Sequence, residues 1–411
     1  MNLKKETAVF DPSRTHPLRR VLGLPLLVGY GLGVIIGAGI YVLVGTVIAA
    51  AGPFAPLSFL LAGALAGLIA ACYGELAARI PEAAGAAAYV KEAFGSDLLS
   101  RAVGLAVGAV VLVSTAALAR GSAGYARLFV DLPAPAIAAA LSIAATSAAC
   151  IGVRQSVAIA GLMSLVEIGG LSLIVAAGWS DLPSPSAAWS AAPALFNSFD
   201  PAGVLAGAFI AFFAYIGFEN MANMTEETHD FERTMPRAML ISLALSTVLY
   251  LLVVVVAVNA QPIEGQHTPL LAIGAKASWY SPSLFAAIAL IAVSNGVLIE
   301  ILMLSRLLYG MARRGWLPTW LIAVNARTAT PVTATLAAGA GVLALAVGLD
   351  VEFLASAASA ITLLIFATVA AALWRLQRLQ PRRAGFRAPL LVPPLAAVLC
   401  LCLVLAQFFV R

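Results

Sequence analysis

The chain has 411 residues, of which 62% are hydrophobic and only 10% are charged, and its formal net charge is +5. Typical soluble proteins have about 25% charged residues, so this composition excludes a soluble globular protein and indicates a polytopic membrane protein. Since about 20 apolar residues cross the hydrocarbon as a helix, the expected spans leave no room for a large soluble domain.

Residues 1–21 are polar and form the predicted N-terminal segment. No short apolar region with a small-residue cleavage site follows them, so we expect the first apolar run to be kept as a span. Apolar runs between charges and Gly or Pro clusters predict eleven membrane-spanning helices. Their bounds are 22–50, 54–79, 98–128, 134–153, 156–178, 201–221, 238–258, 283–311, 332–349, 353–374 and 389–410.

Basic residues are distributed unequally between the predicted loops. With a cytoplasmic N-terminus, 20 of the 24 Lys and Arg residues fall in cytoplasmic segments. Because cytoplasmic loops of membrane proteins carry an excess of Lys and Arg, this distribution predicts that orientation. An odd number of spans then predicts an external C-terminus.

Two of the predicted spans contain a helix interruption. Span 1 has five glycines between residues 29 and 39, and span 6 has Gly217 among aromatic residues, followed by Glu219. Glycine runs also serve close helix packing in lipid, so the run in span 1 has two interpretations on its own. An interrupted helix is tolerated at membrane depth only where protein or a water-filled cavity satisfies its backbone. Two interruptions five spans apart predict an inverted-repeat secondary transporter that binds its ligand at the breaks.

Four motifs carry a resemblance to a known family. They are GYGLGVIIGAGIYVLVG in span 1, YGELAARIPEAAGAAAYVKEAFG after span 2, AFFAYIGFENMANMTEETHDFERTMPRA through span 6, and SRLLYGMARRGWLP at the end of span 8. In this order and spacing, they make the chain resemble bacterial permeases of the amino acid–polyamine–organocation superfamily, in the branch with cationic amino acid transporter relatives. The resemblance covers nearly the whole chain.

The resemblance implies an all-α polytopic membrane protein with a LeuT-like fold. This fold has two inverted repeats of five helices, in which helices 1 and 6 are interrupted, plus one extra helix. The repeats would comprise residues 22–178 and 201–374, and the extra helix residues 389–410. The resemblance also implies the cell inner, or cytoplasmic, membrane.

A substrate site at the two breaks is also implied by the resemblance. Amides of the first break would bind a substrate carboxylate, and carbonyl groups at both breaks would receive its α-amino group. The implied substrate-binding residues are Ile35, Gly37, Ala38, Gly39, Phe213, Ile216 and Gly217.

Aromatic residues and a carboxylate surround the second break. Tyr215 and Phe218, together with Phe213, are expected to shape or gate the cavity, whereas without the resemblance an aromatic stripe is more typical of helix packing. For Glu219 two roles are open, namely gating or proton sensing, and a structural role at a helix end.

Ionisable side chains within spans need a partner, a cavity or a role. Glu75 and Arg306 lie near cytoplasmic span ends, where a structural or snorkelling role is favoured. Arg120 is expected to pair with a carboxylate such as Glu300. Glu167 lies about eleven residues into span 5, where relatives resembling this protein often have a lysine. We expect Glu167 to couple transport to protons; the alternatives are a cation site, contact with the substrate amine, and a pair with Arg120.

Enzyme motifs are missing from the sequence. There is no P-loop, no H-E-x-x-H and no G-x-S-x-G, and the four cysteines show no metal-binding spacing, so neither an enzyme nor a cofactor or metal is expected. The favoured function is a secondary amino acid transporter that works by alternating access, either proton-coupled or exchanging. An amine or polyamine carrier is the alternative, and a channel is disfavoured because the polar signal is confined to two breaks. Expected partners are the substrate, protons more than sodium, and membrane lipid, without nucleic acid.

Overall fold

The computed structural model describes residues 22–36, 39–80, 85–151, 153–184, 186, 199–259, 270, 273, 281–313, 315–325, 330–380 and 385–409. Within these residues there is no β-strand, and turns and short 3-10 segments join the helices. We number fourteen α-helices. They are α1 (Leu24–Ile36), α2 (Gly39–Ala51), α3 (Ala55–Arg79), α4 (Gly85–Phe94), α5 (Asp97–Gly121), α6 (Ala123–Ala126), α7 (Ala134–Ile151), α8 (Val153–Gly178), α9 (Pro201–Phe212), α10 (Phe231–Asn259), α11 (Pro282–Arg313), α12 (Val332–Gly348), α13 (Val351–Leu379) and α14 (Val392–Phe409).

Each of the eleven predicted apolar runs contains helix. Seven helical stretches in the described part of the chain are long and apolar enough to cross a membrane, by length and composition, and four further apolar helices are shorter. Span 1 corresponds to α1 and α2, span 6 begins with α9, and the last span is α14. The prediction of an all-α polytopic membrane protein is confirmed.

A short helix between spans 2 and 3, α4, is not among the predicted spans. It begins at Gly85, whose φ of 51° lies in the left-handed region, and it is followed by Gly95 with a φ of 67°. The Ser96 side chain then accepts a hydrogen bond from the amide of Leu99 and caps α5. The Tyr89 ring on α4 is fully buried, so this connection packs against the membrane helices.

Two large hydrophobic clusters meet at span 6. One includes residues of α2, α3, α9 and α10, and the other includes residues of α5, α7, α11 and α12. Phe213 belongs to the second cluster, while Ile210 and Ile216 pack against both. The segment that contains the second predicted break therefore lies where the two hydrophobic clusters adjoin.

Candidate functional site

Span 1 is described on both sides of its predicted break. Helix α1 ends at Ile36 and α2 begins at Gly39, and all three of Ile35, Ile36 and Gly39 are buried. Gly37 and Ala38, whose amides are expected to bind a carboxylate, lie outside the described residues. The predicted anion site is therefore described only at its borders.

Span 6 is interrupted where the sequence predicts. Helix α9 ends at Phe212, and a 3-10 turn over Phe213–Tyr215 follows. Ile216 is then extended, with φ −61° and ψ 133°, and Gly217 has a φ of 128°, which a residue with a side chain rarely adopts. A second 3-10 segment, Phe218–Glu227, continues the span. The regular helical backbone of span 6 is therefore interrupted at Ile216 and Gly217.

The carboxylate of Glu219 forms a hydrogen bond at the start of the second 3-10 segment of span 6. Its Oε2 accepts a hydrogen bond of 2.8 Å from the amide of Gly217. A negative group at a helix N-terminus stabilises the amides that have no partner within the helix. Glu219 thus makes the contact expected of a structural residue at a helix end, while gating and proton sensing stay predictions.

Spans 1 and 6 touch through positions that have no side chain. A Cβ atom on Gly39 would lie 2.9 Å from the Cα of Ala214, and one on Gly217 would lie 2.8 Å from the carbonyl oxygen of Val34. Both distances are shorter than real Cβ contacts. Glycine at these two positions therefore allows the two backbones to approach each other directly.

Tyr250 on α10 connects the same two spans, and the sequence analysis did not identify it. Its hydroxyl lies 2.6 Å from the carbonyl oxygen of Ile35 and 2.9 Å from that of Ala214, so one proton serves both acceptors. The signal that marks this residue is a tyrosine hydroxyl within the otherwise aliphatic run VLYLLVVVV. The Ile35 carbonyl, which the resemblance assigns to a substrate amine, has a protein partner in this conformation.

The aromatic residues around the break point into different surroundings. Phe213 packs in the cluster of α5 and α11, and only 5% of it is exposed. The Tyr215 hydroxyl donates to the carbonyl of Phe59 on α3 at 3.0 Å. The Phe218 ring lies 5.4 Å from the ring of Phe366 on α13. In this conformation each of the three is packed against a different helix, and a gating role for Phe213, Tyr215 and Phe218 stays a prediction.

Glu167 lies between α8, α2 and α11, and it is fully buried. Its Oε1 accepts a hydrogen bond of 2.6 Å from the Asn295 side-chain amide on α11. The Tyr41 hydroxyl on α2 donates to the backbone carbonyl of Glu167 at 2.7 Å. One turn earlier on α8, Ser164 packs against span 1, since a Cβ on Gly33 would lie 2.9 Å from its Oγ. Glu167 is thus positioned beside span 1 and next to its predicted break.

The expected pair between Arg120 and Glu300 is wrong. The Oε2 of Glu300 instead accepts hydrogen bonds of 2.7 Å from the hydroxyls of Ser114 and Thr115 on α5. Among the described residues no ion pair joins Arg120 to Glu300 or to Glu167. Two hydroxyls on the facing helix satisfy the carboxylate, and the guanidinium does not reach it. The open alternative of a Glu167–Arg120 pair is excluded for the same reason.

Glu300 lies close enough to Glu219 for the two carboxyl groups to interact electrostatically. Glu219 lies in span 6 and Glu300 in span 8. Acidic groups from these two spans therefore lie near each other beside the break.

Glu75, near the C-terminal end of span 2, has a hydrogen-bond partner for each carboxylate oxygen. Its Oε1 accepts from the Arg79 guanidinium at 2.5 and 2.9 Å, and its Oε2 accepts from the Gln377 amide at 2.7 Å and the Ala388 backbone amide at 2.8 Å. These contacts join α3, α13 and the segment before α14. The arrangement is that of a structural residue.

Comparison with known proteins places these features in a family. The family model described as amino acid permease matches residues 22–411. The chain is 33% identical over 402 residues to the vacuolar cationic amino acid transporter 2 of Arabidopsis thaliana, covering 90% of this chain and 61% of that protein.

Further relatives carry similar names. The mitochondrial cationic amino acid transporter 3 of Arabidopsis thaliana is 32% identical over 378 residues, covering 87% of this chain and 62% of that protein. Cationic amino acid transporter 4 of Homo sapiens is 30% identical over 343 residues, covering 78% and 54%. This chain thus spans less than two thirds of the length of the curated relatives. The match over almost all of its own length shows that the chain belongs to the amino acid permease family.

Proposed function

We propose that this chain is a secondary active transporter that moves amino acids across a membrane by alternating access. The observation that carries the proposal is the interruption of span 6 at Ile216 and Gly217, in direct backbone contact with span 1. Polar backbone groups freed at membrane depth are tolerated where they line a cavity or meet protein. The proposed substrate contacts at the breaks are Ile35, Gly37, Ala38, Gly39, Phe213, Ile216 and Gly217.

Uptake into liposomes tests this proposal with two matched glycine variants. Gly39→Ala places a methyl group 2.9 Å from the Ala214 backbone, whereas a Cβ on Gly29 meets no atom within 4 Å. We expect Gly39→Ala to lower the initial rate of amino acid uptake by about tenfold or more, since small displacements at a binding site have effects of this size. Gly29→Ala should match the parent. Equal uptake by all three proteins would reject the proposed site, and no uptake by the parent would reject the function.

We propose that the amino acids have cationic side chains. The curated relatives are named cationic amino acid transporters. The carboxyl groups of Glu300 and Glu219 interact with each other, and within the described residues neither has an ion-pair partner. A substrate ammonium or guanidinium would supply the missing positive charge.

Thermal stabilisation of the purified protein separates the possible substrate classes, because a ligand that binds only the folded state raises its stability. Lysine and arginine should stabilise the protein, and their decarboxylated amines should not. The opposite ranking would favour the amine or polyamine carrier. In Glu300→Gln, stabilisation by lysine should fall by about 1.5–3 kcal/mol, the size of a hydrogen bond to a charged group. An unchanged response would remove Glu300 from the site.

We propose that Glu167 couples transport to protons. It is fully buried beside span 1, and no basic side chain pairs with it in the described part of the chain. In sodium-free liposomes, Glu167→Gln should bind substrate but lose accumulation driven by an imposed pH gradient. Accumulation equal to that of the parent would rule out an obligatory proton role.

We propose, finally, two inverted repeats over residues 22–178 and 201–374, an additional span over 389–410, and a location in the cell inner membrane. In this arrangement the N-terminus is cytoplasmic and the C-terminus external. Accessibility labelling of a cysteine placed at each end tests it. Labelling of both ends from one side would mean an even number of crossings.

A further inference from the structure

Glu167 and Asn295 share one hydrogen bond, and within the described part of the chain each also has an oxygen without a hydrogen-bond donor. The Asn295 amide donates to Oε1 of Glu167 at 2.6 Å. Among the described residues, the other oxygen of each side chain, Oε2 of Glu167 and Oδ1 of Asn295, is buried without a donor. Glu167 is 0% exposed and Asn295 is 1% exposed, so both groups are removed from bulk solvent. Each buried acceptor without a donor costs about 1–3 kcal/mol.

Among the described residues no basic side chain pairs with Glu167. Helices α1, α2 and α7 contain no acidic or basic residue, and in the part of the chain that the structure describes the arginines of α10 (Arg233, Arg237) and α11 (Arg306, Arg313) form no ion pair with it. Tyr41 directs its hydroxyl to the backbone carbonyl of Glu167, and Tyr250, which lies within electrostatic range of Glu167, directs its own to the carbonyls of spans 1 and 6. Glu300, on the same helix as Asn295, contacts α5 instead. A charged Glu167 would therefore be buried without compensation, which is strongly unfavourable.

A single proton on the Glu167 carboxyl group removes its charge and supplies the missing hydrogen bond. On Oε2 it converts an acceptor into an O–H donor, and the Oδ1 of Asn295 is an acceptor that needs one. A carboxylic acid and a primary amide are complementary groups, since the acid O–H can bond the amide carbonyl while the amide N–H bonds the acid carbonyl. The second of these bonds is present in the structure.

We propose that Asn295 is a positioning residue that holds Glu167 in its protonated form through a two-bond acid–amide pair. The inference rests on the proposed proton coupling. The acid lies on α8 and the amide on α11, so movement of these helices against each other opens the pair. The proton enters from water on the side to which the site is open and returns to water on the other side.

Infrared spectroscopy of the reconstituted full chain tests the pair directly. In sodium-free buffer at neutral pH, the parent should show the carbonyl band of a protonated carboxyl group, and Glu167→Gln should lack this band. In Asn295→Leu the band should move in frequency, because the acid loses its partner. Asn295→Ser serves the same purpose if the leucine variant does not fold. Absence of the band in the parent, its loss on adding sodium, or an unshifted band in both Asn295 variants would overturn the inference.

Uptake measurements separate this inference from the proposed function. In Asn295→Leu the external pH of half-maximal uptake should fall by about one unit, because the protonated acid loses two hydrogen bonds and the charged form loses one, and a net difference of about 1.4 kcal/mol weakens proton binding tenfold. The neighbouring Ser294→Ala is the control, because that hydroxyl bonds Leu290 within its own helix. An unchanged pH profile in Asn295→Leu overturns the pair even if Glu167→Gln abolishes coupling. A shifted infrared band in a protein whose uptake ignores pH would reject the coupling and leave the pair intact.

A swapped pair gives an independent check. In the double variant Glu167→Gln with Asn295→Asp, the amide lies on α8 and the acid on α11, so the same two bonds can form. This variant should recover part of the pH-driven uptake that Glu167→Gln loses. No recovery in a correctly folded swap variant counts against the pair.

Discussion

Two glutamates, Glu75 and Glu167, are both fully buried, but the protein surrounds them in opposite ways. Both carboxylate oxygens of Glu75 are bonded, and the guanidinium of Arg79 supplies a counter-charge. Glu167 receives one hydrogen bond, and its second oxygen has no donor among the described residues. Removing one partner of a buried ion pair destabilises the folded protein, because the other charge stays buried alone. A buried charge that has no partner destabilises the folded protein from the outset. The comparison separates a carboxylate that stays charged from one that gains by neutralisation.

The largest effect is expected when the compensated charge is removed. Glu75→Gln leaves the partly buried guanidinium of Arg79 without its counter-charge and should lower the free energy of unfolding by up to about 3–5 kcal/mol, the range for a fully buried pair. Thermal unfolding of the purified protein measures this, with the exposed Glu352→Gln as the matched control. A melting temperature equal to that of the control would contradict a structural role for Glu75.

A smaller effect is expected from one of the partners of Glu75. Gln377→Leu removes the amide that donates to Glu75 at 2.7 Å and to the Ala388 carbonyl at 3.0 Å. The free energy of unfolding should fall by about 1.5–3 kcal/mol, as for a hydrogen bond to a charged group. In a Glu75→Gln background the same change should cost less, because the two residues act in one network. Equal costs in both backgrounds would show that they act independently.

The backbone contact of Glu167 should matter less. Tyr41→Phe removes the hydroxyl that donates to the Glu167 carbonyl at 2.7 Å. The expected loss is about 0.5–1.5 kcal/mol, typical of a neutral hydrogen bond, and it can be measured by the same thermal unfolding. A loss as large as that of Gln377→Leu would mean that Tyr41 also supports the carboxylate.

The smallest change in stability is expected for Glu167→Gln. Glutamine can accept from the Asn295 amide as the acid does, and its own N–H can reach the acceptor that lacks a donor. Stability should change by less than about 1 kcal/mol, since glutamine replaces a neutral acid with a neutral amide that can make the same two bonds. A loss comparable to that of Glu75→Gln would end the distinction between the two glutamates.

The spans were predictable because apolar length alone marks them. Residues 98–128 and 332–349, for example, were found within a few residues of their helices. The interruption at Gly217 was also predictable, because a glycine among aromatic residues, with a carboxylate two residues later, is unusual within an apolar span. Helix α4 was missed because it is only ten residues long and partly polar.

Side-chain pairs were predicted poorly because sequence does not give the rotation of one helix against another. The side chain of Arg120 was expected at Glu300, yet the hydroxyls of α5 face that carboxylate. The contact between Asn295 and Glu167 joins residues 128 positions apart, and the sequence analysis did not identify it. Such contacts depend on packing that no local pattern records.

The partners of Glu75 lie far apart in the sequence, so they are synthesised at different times. Arg79 follows Glu75 by four residues, but Gln377 and Ala388 follow it by 302 and 313 residues. During synthesis Arg79 is therefore available to Glu75 almost at once, whereas its other two bonds wait until residues 377 and 388 have been made. The segment that leads into α14 thus completes a contact begun about 300 residues earlier, and a nascent chain stopped before Gln377 has a donor for only one of the two Glu75 oxygens.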